Sequence, residues 1–144
     1  MRSGRILAVL GFWIAAGCAP VGPTYVETSV TAPAPKPGMG RIYFYTPKVR
    51  FGSNVQPQIN LNGALVGFAV PNGFFYVDRP AGRYEATGVT AADGRIELPL
   101  AAGETKYVRA FAPSAFSVNA IHFLLVPPTE GRADMTSLIY VPSP

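Results

Sequence analysis

Glycine and proline interrupt every window of about fifteen residues, a density that excludes long helices and favours short strands joined by tight turns. The 144-residue chain has 15 Gly and 15 Pro, with 49% hydrophobic and 14% charged residues. This composition excludes disorder for most of its length and leaves room for one core. Beyond residue 17 no 3.6-residue apolar period survives, and no helix is expected there.

The first residues form an address. Arg2 and Arg5 precede an apolar run from Ile6 to Ala16. Eleven residues as helix span roughly 16 Å, well short of a hydrocarbon core of about 30 Å, so the run reads as a signal peptide. It ends on Cys18, the one cysteine in the chain. The stretch Ala15-Ala16-Gly17-Cys18 resembles the bacterial lipobox, with Ala15 where leucine is usual. By that resemblance the leader is residues 1–17 and Cys18 is the lipidation site, anchoring the protein in a membrane. In Gram-negative lipoproteins an aspartate after the cysteine marks inner-membrane retention. Ala19 therefore implies the periplasmic face of the outer membrane of the cell envelope. From Cys18 to Gly40 the chain is proline-rich, with the run APAPKPG at 32–38, and is expected to be a semi-extended tether.

A folded domain is expected over residues 41–144. Arg41–Thr46 alternates, with Ile42 and Phe44 on one face and Tyr43 and Tyr45 on the other. Asn62-Gly63 between Gln58–Leu61 and Ala64–Val70 is a strong hairpin signal, because a type I′ turn needs positive φ twice. Phe74–Asp78 and Arg83–Val89 flank Pro80-Ala81-Gly82 and read as a second hairpin. Arg95–Leu98 and Thr105–Phe111 flank Ala101-Ala102-Gly103 and read as a third. Gly73 to Gly82 repeats the spacing of Gly94 to Gly103, and a tyrosine (Tyr84, Tyr107) follows each second glycine. Ile121–Val126 reads as a central strand buried on both faces. A polar loop through Asp134 then leads to a last strand, Met135–Val141. The expected architecture is all-β, a single antiparallel β-sandwich of about eight short strands.

The succession GRIYFYTP, LNGALVG, GFFYVDRPAGRY and LAAGETKYVR resembles a family of bacterial lipoproteins whose domain is of unknown function, DUF2846. The resemblance implies a β-sandwich envelope lipoprotein, akin to transthyretin-like and PEGA domains. It implies no activity and carries no catalytic residues.

The residues themselves supply little chemistry. His122, the single histidine, falls in an apolar strand and reads as structural. One histidine and an acylated cysteine cannot make a zinc site. Asp78 is expected to pair locally or cap the turn, and Glu85 and Glu97 to lie on solvated faces. No serine sits in a G-x-S-x-G elbow, and no phosphate-cradling loop is present. Of 12 Lys and Arg, two lie in the leader, leaving ten against eight acidic residues with no cluster, which argues against nucleic acid. No catalytic residue, cofactor or metal is expected. Tyr76, Asp78, Arg79 and Arg83, with Tyr107 and Arg109, are not demanded by turn geometry or by core packing, and are the expected partner-binding residues. The reading is a non-enzymatic envelope lipoprotein that binds or spaces another envelope protein. A carbohydrate-binding module using exposed aromatics is the alternative, and a small envelope-glycan hydrolase a weaker one.

Overall fold

The computed structural model describes residues 22–48, 56–90, 94–112 and 120–144. The expected leader with Cys18, and residues 49–55, 91–93 and 113–119, lie outside the described residues. Nine strands and two short helices follow in the order α1 (Tyr25–Thr31), β1 (Met39–Thr46), β2 (Gln58–Leu61), β3 (Ala64–Phe68), β4 (Gly73–Pro80), β5 (Gly82–Thr87), β6 (Arg95–Leu100), β7 (Thr105–Phe111), β8 (His122–Val126), α2 (Pro128–Met135) and β9 (Ile139–Tyr140). They form a five-stranded sheet, β8-β7-β1-β4-β9, facing a four-stranded sheet, β3-β2-β5-β6. The all-β sandwich is as the turn spacing implies. Its larger sheet is mixed, with β1 parallel to β7 and β4 parallel to β9.

Alternation along each strand builds the core between the sheets. Ile42 and Phe44 of β1 and Phe75 and Val77 of β4 meet Ile59, Leu61, Val66, Ala86, Leu98 and Leu100 of the facing sheet. Phe44 stacks on its cross-strand partner Phe75 with ring centroids 5.3 Å apart. Asn62 and Gly63 close the β2–β3 hairpin with φ of 49° and 79°, the doubly positive turn the dipeptide signals.

The 74–84 segment is not a hairpin. β4 pairs with β1 and β9, whereas β5 pairs with β2 and β6. Ala81 is therefore a corner at which the chain changes sheet. The same is true of Ala101–Glu104 between β6 and β7, so the matched glycine spacing marks two corners. Both fold against the start of β1: the Ala81 amide donates to the Gly38 carbonyl at 3.0 Å and the Gly103 amide to the Met39 carbonyl at 2.9 Å.

Four other expectations are corrected. β8 is an edge strand, paired among the described residues with β7 alone, and Leu124 and Leu125 are exposed. An uninterrupted apolar run does not reveal whether a second neighbour exists. The polar stretch before Asp134 is helix α2, with Pro128 in its first turn, Glu130 near its N-terminus and Arg132 near its C-terminus. The expected last strand shrinks to Ile139–Tyr140. Part of the expected tether is helix α1, started by a reciprocal capping box between Thr24 and Glu27. Its entry is bound to the sheet edge by Tyr140 N–H to the Pro23 carbonyl at 2.8 Å, and by Tyr25 N–H to the Leu138 carbonyl at 3.0 Å.

Candidate functional site

The outer face of the five-stranded sheet carries the residues that alternate with the core: the aromatics Tyr43, Tyr45, Phe74, Tyr76 and Tyr107, with Arg109. A two-layer sandwich would leave them in water, but here both helices lie over them. Tyr25 of α1 sets its ring edge-on to Tyr43 and Phe74, at 5.5 and 5.6 Å. Its hydroxyl meets that of Tyr107 at 3.0 Å. Tyr107 stacks on Tyr43 at 5.3 Å with an interplanar angle of 11°. Met135 and Leu138 complete this second core, in which Tyr43, Tyr45, Phe74 and Tyr107 are all buried. Burial, and then the bond to Tyr107, push the Tyr25 hydroxyl far above the ordinary tyrosine range. Burial also raises Tyr43, Tyr45 and Tyr140.

Four of the six expected partner-binding residues are consumed in this closure. Asp78 takes a two-pronged ion pair from Arg41, Nε to Oδ1 at 2.7 Å and Nη2 to Oδ2 at 2.8 Å. It therefore does not merely pair locally or cap the turn. Tyr76 lies under the Arg41 guanidinium, 4.0 Å from ring centroid to Cζ. Arg41 Nη2 also donates to the Pro33 carbonyl at 2.6 Å, binding the segment after α1. Hydrogen bonding to Asp78 holds Arg41 charged despite its burial.

Tyr107 receives Tyr25 as described. Arg109 donates to Tyr45 Oη at 3.2 Å and to Glu130 Oε1 at 2.7 Å, and also pairs with Asp134 of α2. The Tyr45 hydroxyl donates to Asp134 Oδ2 at 2.6 Å. Burial works against the Asp134 charge, but the bonds from Tyr45 and Arg109 outweigh it and hold the carboxyl below its ordinary value. Arg41, Glu130 and Asp134 were not legible as members of these clusters, since their partners are distant in sequence. Arg79 donates to the Asp78 carbonyl at 3.0 Å and stays half-buried. His122 is half-buried at the start of β8, its ring 6.1 Å from that of Phe111.

Arg83 alone stands clear of this system. It is exposed on β5, on the outer face of the four-stranded sheet, which no described element covers. Cross-strand register sets Arg83 opposite Pro99, Glu85 opposite Glu97, and Thr87 opposite Arg95. The two glutamates thus face each other between two arginines placed diagonally. Arg95 Nη1 lies 3.7 Å from Glu85 Oε2. Like charges directly opposite destabilise a strand pair by a few tenths of a kcal/mol or more, and the arginines offset part of that.

The turn residue Asn62 brackets the end of this row. Its amide donates to the Glu85 carbonyl, and its Oδ1 accepts from the Glu85 amide, both at 2.8 Å. Asn62, Arg83, Glu85, Glu97 and Pro99 line an open cleft of about 340 Å³. Across the sheet, Leu65 and Phe68 of β3 are exposed opposite Asn60 and Gln58. This face therefore joins an apolar margin to a row of mixed charge.

No helix among the described residues is long and apolar enough to cross a membrane. Neither the curated proteins nor the solved structures include a match to the chain. The family model for a protein of unknown function, DUF2846, matches residues 36–122, which run from the approach to β1 to the start of β8. The match takes in the second corner, the β5–β6 row and most of both sheets, so the chain belongs to the DUF2846 family.

Proposed function

We propose that this protein is a non-enzymatic lipoprotein of the bacterial envelope, anchored through Cys18 at the periplasmic face of the outer membrane. In this reading the outer face of the four-stranded sheet docks another envelope protein. One observation carries it: helices cover one outer face of the sandwich, while no described element covers the other, which bears Arg83, Glu85, Arg95, Glu97, Leu65 and Phe68. A face that combines an exposed apolar margin with opposed charges has the composition of a protein contact. The cross-strand glutamates cost stability, and a partner cation would relieve them.

The non-enzymatic part is supported by where the titratable groups are used. Asp78, Asp134, Tyr45 and Tyr107 all fasten secondary structure away from the open cleft, and of the two glutamates that line it, Glu85 is paired with Arg95. The carbohydrate-binding alternative needs exposed ring faces, and the rows of Tyr43, Tyr45, Phe74 and Tyr107 are buried.

The test is a photo-crosslinking residue at Glu97 in cells, alone and with Arg83→Glu plus Arg95→Glu. The expected result is a discrete adduct whose yield falls by about tenfold on charge reversal while the melting temperature is kept. An adduct indifferent to the reversal, or none, would contradict the assignment.

A further inference from the structure

The chain is docked on its own sheet from Gly22 onward. Tyr140 N–H donates to the Pro23 carbonyl, Thr24 bridges Ile139, and a Cβ added to Gly22 would lie 2.5 Å from the Tyr140 carbonyl oxygen. Only Ala19, Pro20 and Val21 separate Gly22 from Cys18. Whatever their conformation, that length of chain reaches at most about 14 Å. A lipid anchor at Cys18 therefore holds the β9 edge and α1 close to the membrane, not several tens of ångströms above it.

The helix that is brought there has an unusual outer stripe. Tyr25 and Thr28 face the sheet and are buried, whereas Val26 and Val30, one turn apart, are 52% and 80% exposed. Glu27 is turned back onto Thr24, accepting from its amide at 2.7 Å and its hydroxyl at 2.9 Å. Two valines are a weak apolar contact in isolation. On a helix confined within a short reach of lipid, the local concentration is high enough for a weak contact to set orientation.

We infer that α1 rests on the bilayer through Val26 and Val30, so that the domain lies flat on the membrane with its open sheet face turned away from it. The inference rests on the lipid-anchor reading of Cys18. It explains how the open face stays available to a partner: α1 covers the five-stranded sheet, and the four-stranded sheet lies on the opposite side of the sandwich.

Trp13 is the sole tryptophan and lies in the leader, so the processed protein offers a dark background for an introduced indole. The experiment uses the full-length processed protein in phosphatidylethanolamine–phosphatidylglycerol vesicles, with and without brominated acyl chains. It compares Val30→Trp with Val89→Trp, a site exposed after β5. The account expects both variants to float with the vesicles, and brominated chains to quench the Val30→Trp indole at least about twofold while sparing the Val89→Trp one. Flotation without quenching at Val30→Trp overturns the docking and leaves the anchor standing. Failure to float overturns the anchor reading and the docking with it. A blue-shifted, unquenched Val30→Trp indole that depends on protein concentration assigns the stripe to a second copy of the chain and also overturns the docking.

Discussion

Arg41 is the residue on which the closed face depends. Its side chain is 7% exposed, and it spans β1, β4 and the segment after α1 through Asp78 and the Pro33 carbonyl. Removing Asp78 leaves a buried guanidinium without its counter-charge. Asp78→Ala is expected to cost about 3 kcal/mol, the low end for breaking a buried pair because the Asp78 side chain is 25% exposed. Arg41→Met with Asp78→Leu should recover most of that loss, since apolar replacement of both partners avoids the stranded charge. Urea unfolding of the two variants against the wild type measures it, and equal losses in the single and double variants would contradict the pairing.

Gly131 is a second such position. An added Cβ would lie 2.5 Å from Cβ and Cγ of Tyr107, the fixed end of that side chain. Helix propensity alone would make Gly131→Ala stabilising by about 1 kcal/mol, but overpacking of about 1–3 kcal/mol outweighs it. A lowered urea midpoint is expected, and a raised one would show that α2 does not pack where described.

At the scale of elements, α2 is fastened by charge as well as by packing. Asp134 has its carboxyl held below the ordinary value of 3.8 by Tyr45 and Arg109, against the opposing effect of burial. A depressed folded value contributes stability that is present above the unfolded value and is lost as pH falls through the folded one. The melting temperature should therefore decline more steeply in the wild type than in Asp134→Asn as pH falls below the ordinary value of 3.8. Parallel declines would remove Asp134 from the account.

The sequence states which strands exist, because alternation and turn residues are local. Ile42 and Phe44 against Tyr43 and Tyr45 is legible, and so is the Asn62-Gly63 turn. A corner between sheets and a hairpin within one use the same residues, so Pro80-Ala81-Gly82 does not distinguish them. Only pairing with distant β1 and β6 decides. The helices were signalled by the Thr24–Glu27 capping pair and by Pro128 at a helix start. Neighbouring prolines and Gly131 mask both signals.

At the scale of the molecule, the two outer faces have opposite fates. Of the residues that looked most like a binding surface, Tyr107 and Arg109 bind the protein's own helices, and Tyr76 and Asp78 hold Arg41, which fastens the segment after α1. The aromatic rows were legible, but what covers them was not, because α1 and α2 lie at the two chain ends and reach the sheet by tertiary contact. What remains for a partner is the β5–β6 row, of which Arg83 was the member singled out by sequence.

Alkaline titration of tyrosine absorbance reads directly whether the aromatic face is closed. The one tryptophan, Trp13, adds a background that does not change as tyrosine ionises. Tyr25, Tyr43, Tyr45 and Tyr140 are raised by burial, so their contribution to stability is complete below the ordinary value of 10.0 and is lost as pH rises beyond it. The account predicts that these four ionise late, in one step that coincides with loss of the folded circular-dichroism signal. All seven tyrosines ionising together near 10, with the fold intact, would mean that the face is open.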